Sequence, residues 1–441
     1  MNPLTEKPED QLSGKRQPGN FSYLVKSIVL IGMTVLLFIS TLFIRDLISE
    51  RQNKKEEAEH FFETSWGAPQ TITGPYISIP YKVVLGNKEV ETRYIHLMPH
   101  QYIVKNNLKT EKRNLGIFEV SVYKDVIRSE GYFDLKDLDK INIPGSARLD
   151  EAIINYGVSD MRGLEQLERF IINGQALETQ SGVSSKDLSG QGFSAPVSLD
   201  NNSRITFEID LSLRGTNQIS FIPVGYNTTI DMTSDWDAPG CWGKYIPNEK
   251  PQVNSSGFNA HWKIQHLNRS FPQVWMNQEY DVSTDKFGVD LKIMVNNYVK
   301  SERTVKYALL VIGLVFVVFF FIETLSNRNI HPLQYLLTGA ALCLFYGLLV
   351  SISEFLDFNR AYWIAAGMTV LLISIYIRSV LGQMRFAVIT GSALTGVYAF
   401  LYIILLQEDY ALLIGNIGLF VILGLIMYFS RKIKWNAPAS A

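Results

Sequence analysis

Six long apolar runs are the main feature of the chain, one near the N-terminus and five in its last third. The first covers residues 24–44, and the others cover residues 307–325, 335–352, 361–377, 386–406 and 411–429. Each run has about the 20 residues that an α-helix needs to cross a hydrocarbon layer of ~30 Å. The pattern therefore predicts a polytopic α-helical membrane protein with six transmembrane helices.

The first apolar run predicts a signal anchor that is not cleaved. A cleavable signal peptide has a shorter apolar core, followed by a small-x-small site. Residues 43–47 are instead Phe-Ile-Arg-Asp-Leu, and the residues after them are rich in Glu, Lys, Arg and Gln. We therefore expect residues 1–23 to form a polar tail, and residues 45–66 to form a helical stalk that ends near Gly67 and Pro69.

Residues 67–303 follow a strand pattern rather than a helical one. Residues 204–213 alternate strictly between apolar and polar side chains, which is typical of a strand with one face in water. Residues 76–85 and 89–97 alternate in the same way around a turn at Gly86-Asn87. The predicted fold class is a helical membrane protein with a large β-rich (α+β) domain inserted between the first and second transmembrane helices.

Two segments of this domain depart from the strand pattern. Residues 163–170 are expected to form a short helix. Residues 179–192 are rich in Ser, Gly and Gln, and predict a mobile loop.

The positions of Lys and Arg in the short loops predict the orientation in the membrane. Both ends of the chain are basic, through Lys7, Lys15, Arg16 and Lys26 at one end and Arg431, Lys432 and Lys434 at the other. An even number of crossings places both ends on one side, and the opposite loops hold the acidic residues Glu354, Asp357, Glu408 and Asp409. We expect the tails at residues 1–23 and 431–441 to be cytoplasmic and the large domain to lie outside, although basic residues also flank the first two spans on the outer side.

The charge argues against one class of partner, and the positions of the two cysteines argue against a disulfide. The formal net charge is -1, and no basic stripe is interleaved with aromatic residues, so nucleic acid is not an expected partner. Cys241 lies in the β-rich domain and Cys343 lies inside an apolar run, so the two are not expected to form a disulfide. The partner that the six apolar runs predict is the lipid bilayer.

Candidate catalytic and metal-binding residues are few. His96 and His100 have the histidine spacing of a zinc-binding helix, but the glutamate of the HExxH motif is missing and a proline interrupts the segment. His261 and His266 are an odd number of residues apart on an expected strand, and would face opposite ways. Ser194 lacks the second glycine of a nucleophile elbow. We expect no catalytic residues, no metal site and no cofactor.

Ionisable side chains are also rare in the membrane block, residues 304–430. A proton- or ion-coupled transporter generally needs charged groups or broken helices at mid-depth. Glu323 and Glu354 lie instead at the ends of the second and third spans, where a solvated helix end is the more common role. A transporter stays open as an alternative because the spans also contain many glycines.

Several short motifs together resemble those of one protein family. They are residues 73–80 (TGPYISIP), 158–163 (VSDMRG), 233–236 (TSDW), 256–262 (SGFNAHW), 306–308 (KYA) and 331–337 (HPLQYLL). In combination they resemble the CreD family of bacterial inner-membrane proteins, also called cell envelope integrity proteins, from the anchor to the last span. The resemblance implies a periplasmic position for the large domain and a role in envelope integrity, in some bacteria under a two-component system that also governs responses to β-lactams. It implies no reaction and no catalytic residues.

These motifs and the span ends supply the candidate functional or structural residues. The complete set is Gly74, Pro75, Asp160, Arg162, Gly257, Trp262, Arg303, Lys306, Glu323, His331 and Glu354. We expect Gly74 and Pro75 to form a tight turn that aims the first strand. Asp160 and Arg162 are expected to form a local salt bridge or a turn anchor rather than a catalytic pair.

The remaining expectations concern the membrane boundary. Arg303 and Lys306 lie where the domain re-enters the membrane, and we expect them near lipid head groups. His331 precedes a proline at the start of the third span, where the first helical turn tolerates proline.

Two hypotheses about function follow. In the first, the protein is not an enzyme, and its periplasmic domain binds an envelope component or a membrane protein and so supports envelope integrity. In the second, the helical block is a transporter or flippase of a lipid or small molecule.

Overall fold

A computed structural model of the protein describes residues 20–84, 89–199, 203–292, 297–326, 330–407 and 410–431. The chain divides into two compact units: Met1–Asn53 with Val295–Ala441, called the helical unit below, and Lys54–Met294, called the sheet domain. Some of the expected features lie outside the described residues. They are the turn at Gly86-Asn87, the acidic pair Glu408-Asp409 and most of the two expected tails.

The described residues form seven α-helices. They are α1 (Asn20–Ser65), α2 (Asn297–Lys306), α3 (Ala308–Ser326), α4 (Pro332–Ser353), α5 (Phe358–Leu381), α6 (Met384–Leu406) and α7 (Ala411–Ser430). Helix α1 continues without a break from the apolar run at residues 24–44 into the polar residues that follow.

Five of the described helices, α1 and α4 to α7, are long and apolar enough to cross a membrane. Helices α2 and α3 would add a sixth crossing if they form one bent span, since they meet at an angle of 46°. The predicted span at residues 307–325 corresponds to α3, and the polar residues before it form the separate helix α2. The total of six crossings stays a prediction.

Local sequence explains where two of these helices begin and end. Pro332 is the first residue of α4, and His331 before it accepts a hydrogen bond on Nδ1 from the amide two residues later, at 3.2 Å. The expected helix start at His331 and Pro332 is thus confirmed. Asp357 caps α5 in the same way at 3.0 Å. Helix α5 ends at Leu381, and the capping residue Gly382 has a φ of +70°, which favours glycine.

Aromatic side chains form the centre of the helical unit. The ring of Phe345 in α4 lies 5.6 Å from that of Tyr362 in α5 and 4.6 Å from that of Tyr398 in α6. The Tyr362 hydroxyl donates a hydrogen bond to the Tyr398 carbonyl at 2.7 Å, which joins α5 to α6. By contrast, none of the described residues of α7 is buried.

The sheet domain contains two sheets. Sheet A has the order β13 (Gly240–Gly243), β17 (Phe287–Asp290), β11 (Gln218–Phe221), β1 (Gln70–Val84), β5 (Ile153–Val158), β9 (Gly192–Pro196) and β8 (Gln180–Ser181). Strand β2 (Val90–Leu97) also pairs with β1, and β16 (Val274–Met276) pairs with β2. Sheet B has the order β14 (Gln252–Asn254), β15 (Gly257–Gln265), β12 (Asn227–Ser234), β3 (Gln101–Leu115), β4 (Phe118–Asp134), β10 (Arg204–Thr216), β6 (Leu164–Ile172) and β7 (Gln175–Ala176).

Both sheets contribute to one apolar core. The alternation predicted at residues 204–213 is confirmed, because β10 buries Ile205, Phe207, Ile209, Leu211 and Leu213 while the residues between them are exposed or half-buried. Burial of apolar side chains contributes about 25 cal/mol per Å², which makes this core the main source of the domain's stability.

The short helix predicted at residues 163–170 is wrong, because Leu164–Ile172 is strand β6. This strand pairs with β10, but its register shifts twice, between Asp210 and Leu211 and between Ser212 and Leu213. Such irregularities interrupt the two-residue period by which a strand is identified in a sequence.

The tight turn predicted at Gly74 and Pro75 is also wrong in position. Both residues lie inside β1, where the pairing with β5 shifts register between Ile72 and Pro75. Gly74 has a φ of +41°, and a Cβ there would lie 2.8 Å from the Tyr102 ring. The pair therefore forms an irregularity within a long strand, not the turn before it.

Two smaller expectations also need correction. The segment at residues 179–192, predicted as a loop, contains strand β8 and the buried side chain of Leu188. His261 and His266 do not share a strand, because β15 ends at Gln265 and His266 begins a short 3-10 helix.

Candidate functional site

The helical unit has a cluster of charged side chains where α1, α2 and α4 meet. Arg51 Nε lies 3.4 Å from Glu354 Oε1, and the Glu354 side chain is 10% exposed. The Tyr298 hydroxyl interacts with the same carboxylate. One residue earlier, Asn297 Nδ2 donates a hydrogen bond to the Ser353 carbonyl at 2.6 Å. Glu354 thus joins three helices.

A second group of charges lies further along α2. Glu302 Oε1 is 3.8 Å from Arg45 of α1 and 3.3 Å from Lys306 of its own helix. Arg303 occupies the same short helix. Of the predicted residues, Arg303 and Lys306 thus lie near the end of α2, and Glu354 lies at the end of α4, which Asn297 joins to the start of α2.

The other predicted acid of the helical unit, Glu323, lies at the connection between α3 and α4. Its two carboxylate oxygens accept hydrogen bonds of 2.9 Å, one from the Ile330 amide and one from the Tyr335 hydroxyl. The side chain is buried. His331, the capping residue of α4, directly follows Ile330 in the chain. These contacts give Glu323 a structural role in closing the connection.

In the sheet domain, Asp160 anchors the segment that enters β1. Its carboxylate accepts hydrogen bonds from the Ala68 amide at 2.9 Å and from Arg162 Nε at 2.9 Å. Burial alone would raise the pKa of Asp160, but the hydrogen bonds from Arg162 and Ala68 outweigh it and lower that pKa. Asp160 and Arg162 thus form a local salt bridge, and Asp160 also anchors the turn by accepting a hydrogen bond from the Arg162 amide at 3.1 Å.

Gly257 and Trp262 lie on β15 and serve packing. A Cβ on Gly257 would come within 1.8 Å of the Ser234 carbonyl oxygen, so no larger residue fits. Trp262 is buried, packs on Phe287 at 5.7 Å between ring centroids, and donates a hydrogen bond to the Tyr245 carbonyl.

The other histidines noted in the sequence have aromatic or acidic neighbours. His100 and His266 stack on Tyr226, with ring centroids 4.7 Å and 3.6 Å away. His261 Nδ1 lies 2.6 Å from the Asp231 carboxylate. Within the described residues, no group of three or more His, Cys, Asp or Glu is placed to hold a metal ion.

Sequence reasoning missed a serine, histidine and aspartate that form a hydrogen-bonded series. Ser78 Oγ lies 3.1 Å from His96 Nδ1, and His96 Nε2 lies 2.9 Å from Asp187 Oδ2. Asn155 Nδ2 donates a further hydrogen bond to Ser78 Oγ at 3.1 Å. The hydrogen bond from His96 lowers the pKa of Asp187.

This series differs from a catalytic triad in two respects. The ring nitrogens are reversed, because in the serine-protease arrangement Nε2 faces the serine and Nδ1 faces the aspartate. Ser78 and His96 are both fully buried, so no substrate reaches the hydroxyl. The arrangement can fasten the segment that carries Asp187 to the sheet, but it cannot attack a bound substrate in this conformation.

A second buried acid, Asp125 on β4, was also missed. Its Oδ2 accepts a hydrogen bond from Asn106 Nδ2 at 3.0 Å, and its Oδ1 has no hydrogen-bond partner among the described residues. Burial raises the pKa of Asp125 to about 7, and the hydrogen bond from Asn106 only partly offsets this. The side chain is therefore a neutral acid in the core below neutral pH.

Two comparisons with known proteins agree over nearly the whole chain. The family model described as "Inner membrane protein CreD" matches residues 22–436. The chain is 31% identical to Inner membrane protein CreD of Escherichia coli (strain K12) over an alignment of 419 positions, and the alignment covers 92% of this chain and 92% of that protein. A crystal structure of a candidate protease from Parabacteroides distasonis aligns at 6% identity with 67% of this chain and 59% of that one, with a TM-score of 0.23. That score is too low to indicate a shared fold.

Proposed function

Since the chain belongs to the CreD family of inner membrane proteins, we propose that it supports the integrity of the cell envelope without catalysing a reaction. In this proposal the sheet domain lies in the periplasm and binds an envelope component or another membrane protein. The six crossings hold both termini in the cytoplasm.

The observation that carries the proposal is the open outer face of sheet B, formed by side chains that alternate with the buried ones. On its central strands, Lys105 of β3, Arg128 of β4 and Glu208 of β10 are all exposed. Lys105 and Arg128 are direct cross-strand neighbours. A broad polar face on central strands offers many charged groups to a partner. The buried series around Ser78, by contrast, gives no access for chemistry.

Site-specific crosslinking in intact cells tests the proposal. A photo-reactive residue is placed at Lys105, Arg128 or Glu208, with Lys250, exposed in a loop of the same domain, as the control position. We expect a discrete adduct from the three sheet positions and none from the control. No adduct from any of the three, in cells where a known periplasmic complex is captured, would contradict the proposal.

The topology is tested separately with reporter fusions. Fusions at both ends of the chain and at Asp409 should report cytoplasm, cytoplasm and periplasm, respectively. A C-terminal fusion that reports the periplasm would overturn the arrangement.

A transporter or flippase is the second candidate, and one observation favours it. An apolar groove of about 460 Å³ lies between α3, α6 and α7, with Gly396 and Gly418 in its wall. Both acids that could couple transport to ions are already engaged in structural contacts, Glu323 with Tyr335 and Glu354 with Arg51. The groove therefore suits an apolar chain better than an ion.

A lipid-transfer assay in proteoliposomes distinguishes this candidate. Gly396→Leu places a side chain in the groove, because a Cβ at this position meets no atom within 4 Å. Gly424→Leu is the control, because Gly424 is equally open but does not line the groove. If the groove carries lipid, the first variant slows transfer of a fluorescent phospholipid and the second does not. Equal rates in both variants and in empty vesicles would remove the candidate.

A further inference from the structure

A polar pocket of about 560 Å³ lies between α1 and α2 in the helical unit. It is lined by Leu42, Arg45, Asp46, Ile48, Ser49, Gln52 and Glu302. The residues from α1 recur every three or four positions, which places them on one face of the helix. The pocket begins where the apolar run at residues 24–44 ends, so its level in α1 is that of a membrane interface.

The pocket presents both signs of charge at close range. Arg45 lies 3.8 Å from Glu302, and their side chains are 48% and 36% exposed. Asp46 adds a second carboxylate, and Ser49 and Gln52 add neutral polar groups one turn further on. Within the part of the chain that the structure describes, the side chains of Asp46, Ser49 and Gln52 make no hydrogen bond or ion pair. These polar groups are therefore available to a ligand.

The apolar side of α1 continues from the pocket toward the N-terminus. Ile39 is 48% exposed, Leu42 is 40% exposed and Phe43 is 72% exposed. A ligand seated in the pocket would thus have a charged part beside Arg45 and an apolar part along these side chains. The arrangement matches an amphipathic molecule in the bilayer.

We propose that this pocket binds the headgroup of a zwitterionic phospholipid that carries a primary ammonium group. Arg45 binds the phosphate, and the ammonium donates hydrogen bonds to Asp46 and Glu302. The acyl chains lie along Ile39 and Leu42. An anionic headgroup brings no cation to Asp46, which has no ion pair among the described residues, and a trimethylated ammonium has no N–H to donate to Asp46 or Glu302.

Native mass spectrometry of the full-length protein in detergent tests the proposal. The protein is mixed with phosphatidylethanolamine, phosphatidylcholine or phosphatidylglycerol of identical chain composition. We expect several-fold more retention of phosphatidylethanolamine than of the other two. Retention that is equal for all three, or highest for phosphatidylglycerol, would overturn the proposal.

Variants locate the site. Glu302→Gln and Asp46→Asn should each remove the preference for phosphatidylethanolamine over phosphatidylcholine, and Arg45→Gln should weaken the binding of both lipids. Glu50→Gln, on the same helix but outside the pocket lining, is the matched control and should keep the preference. A preference that survives both Glu302→Gln and Asp46→Asn would contradict this location.

A ligand series keeps the proposal testable if the variants fail to fold. The wild-type protein is offered phosphatidylethanolamine with one, two or three methyl groups on nitrogen. Retention should fall at each step, because each methyl group removes one N–H donor. A flat series would exclude recognition of the ammonium by Asp46 and Glu302.

Discussion

The guanidinium of Arg51 lies 3.4 Å from the carboxylate of Glu354, and the pair joins α1 to the end of α4. The Arg51 side chain is 41% exposed and that of Glu354 is 10% exposed. An ion pair in this half-buried setting is screened less than one at the surface and contributes more to stability. Tyr298 of α2 shares the carboxylate, so the loss of Glu354 would loosen three helices at once.

We expect Arg51→Gln and Glu354→Gln each to lower the free energy of unfolding by roughly 1–2 kcal/mol. The double variant should lose less than the sum, because either change alone already breaks the pair. Thermal unfolding of the full chain in detergent measures this. The matched control is the exposed pair Lys54 and Glu57, 3.1 Å apart on α1, where the same changes should cost under about 0.5 kcal/mol. Additive losses at Arg51 and Glu354 would contradict the coupling.

Asp125 makes the stability of the sheet domain depend on pH. Its pKa in the folded protein is raised to about 7 from the ordinary value of 3.8. Between about pH 4 and pH 7 the carboxyl group is therefore protonated in the folded state and ionised in the unfolded state. The free energy of unfolding falls as pH rises through this window. Above pH 7 the loss is complete, and it amounts to a few kcal/mol at most, at roughly 1.4 kcal/mol per pKa unit.

Asp125→Asn should remove this dependence, because the amide cannot ionise. Chemical unfolding of the full chain at pH 5 and pH 8, followed by tryptophan fluorescence, measures the difference. We expect the variant to be more stable than wild type at pH 8 and to lack the fall between the two conditions. Asp139→Asn, at an exposed position in the same domain, should leave the fall unchanged. A wild-type protein that is equally stable at both pH values would refute the role of Asp125.

Features that depend on local pattern could be predicted from the sequence, and features that depend on register could not. Helices α4 to α7 and strand β10 were predictable because apolar length and strict alternation are properties of consecutive residues. Strand β6 was missed because its irregular pairing with β10 is set by the partner strand.

The candidate sites show the same limit. A two-residue turn at Gly86-Asn87 would pair Ser78 with Ile95, but the register of β1 and β2 pairs Ser78 with His96. Nothing near Ser78 in the sequence indicates that contact. In the helical unit, the sequence identified Glu354 as a boundary acid but not its partner Arg51, which comes from the first helix.

Gly257 offers a sharp test of the packing of sheet B. Its φ is +130°, and a Cβ there would lie 1.8 Å from the Ser234 carbonyl oxygen, so β12 would have to move. We expect Gly257→Ala to lower the free energy of unfolding by about 3 kcal/mol or more. Gly116 has a φ of +62° but no atom within 4 Å of its Cβ position, so Gly116→Ala should cost only about 1–2 kcal/mol. Equal losses in the two variants would show that backbone strain, not the contact with Ser234, governs both.

Two experiments distinguish a structural role for the buried series of Ser78, His96 and Asp187 from a catalytic one. Because Ser78 is fully buried, we expect a fluorophosphonate probe to leave it unlabelled in the native full-length protein, under conditions that label a known serine hydrolase completely. The structural role predicts instead that Asp187→Asn, which loses the charged acceptor 2.9 Å from His96 Nε2, lowers the free energy of unfolding by roughly 1–2 kcal/mol. Labelling that disappears in Ser78→Ala would reverse the assignment, because it would show that the hydroxyl becomes accessible and nucleophilic in solution.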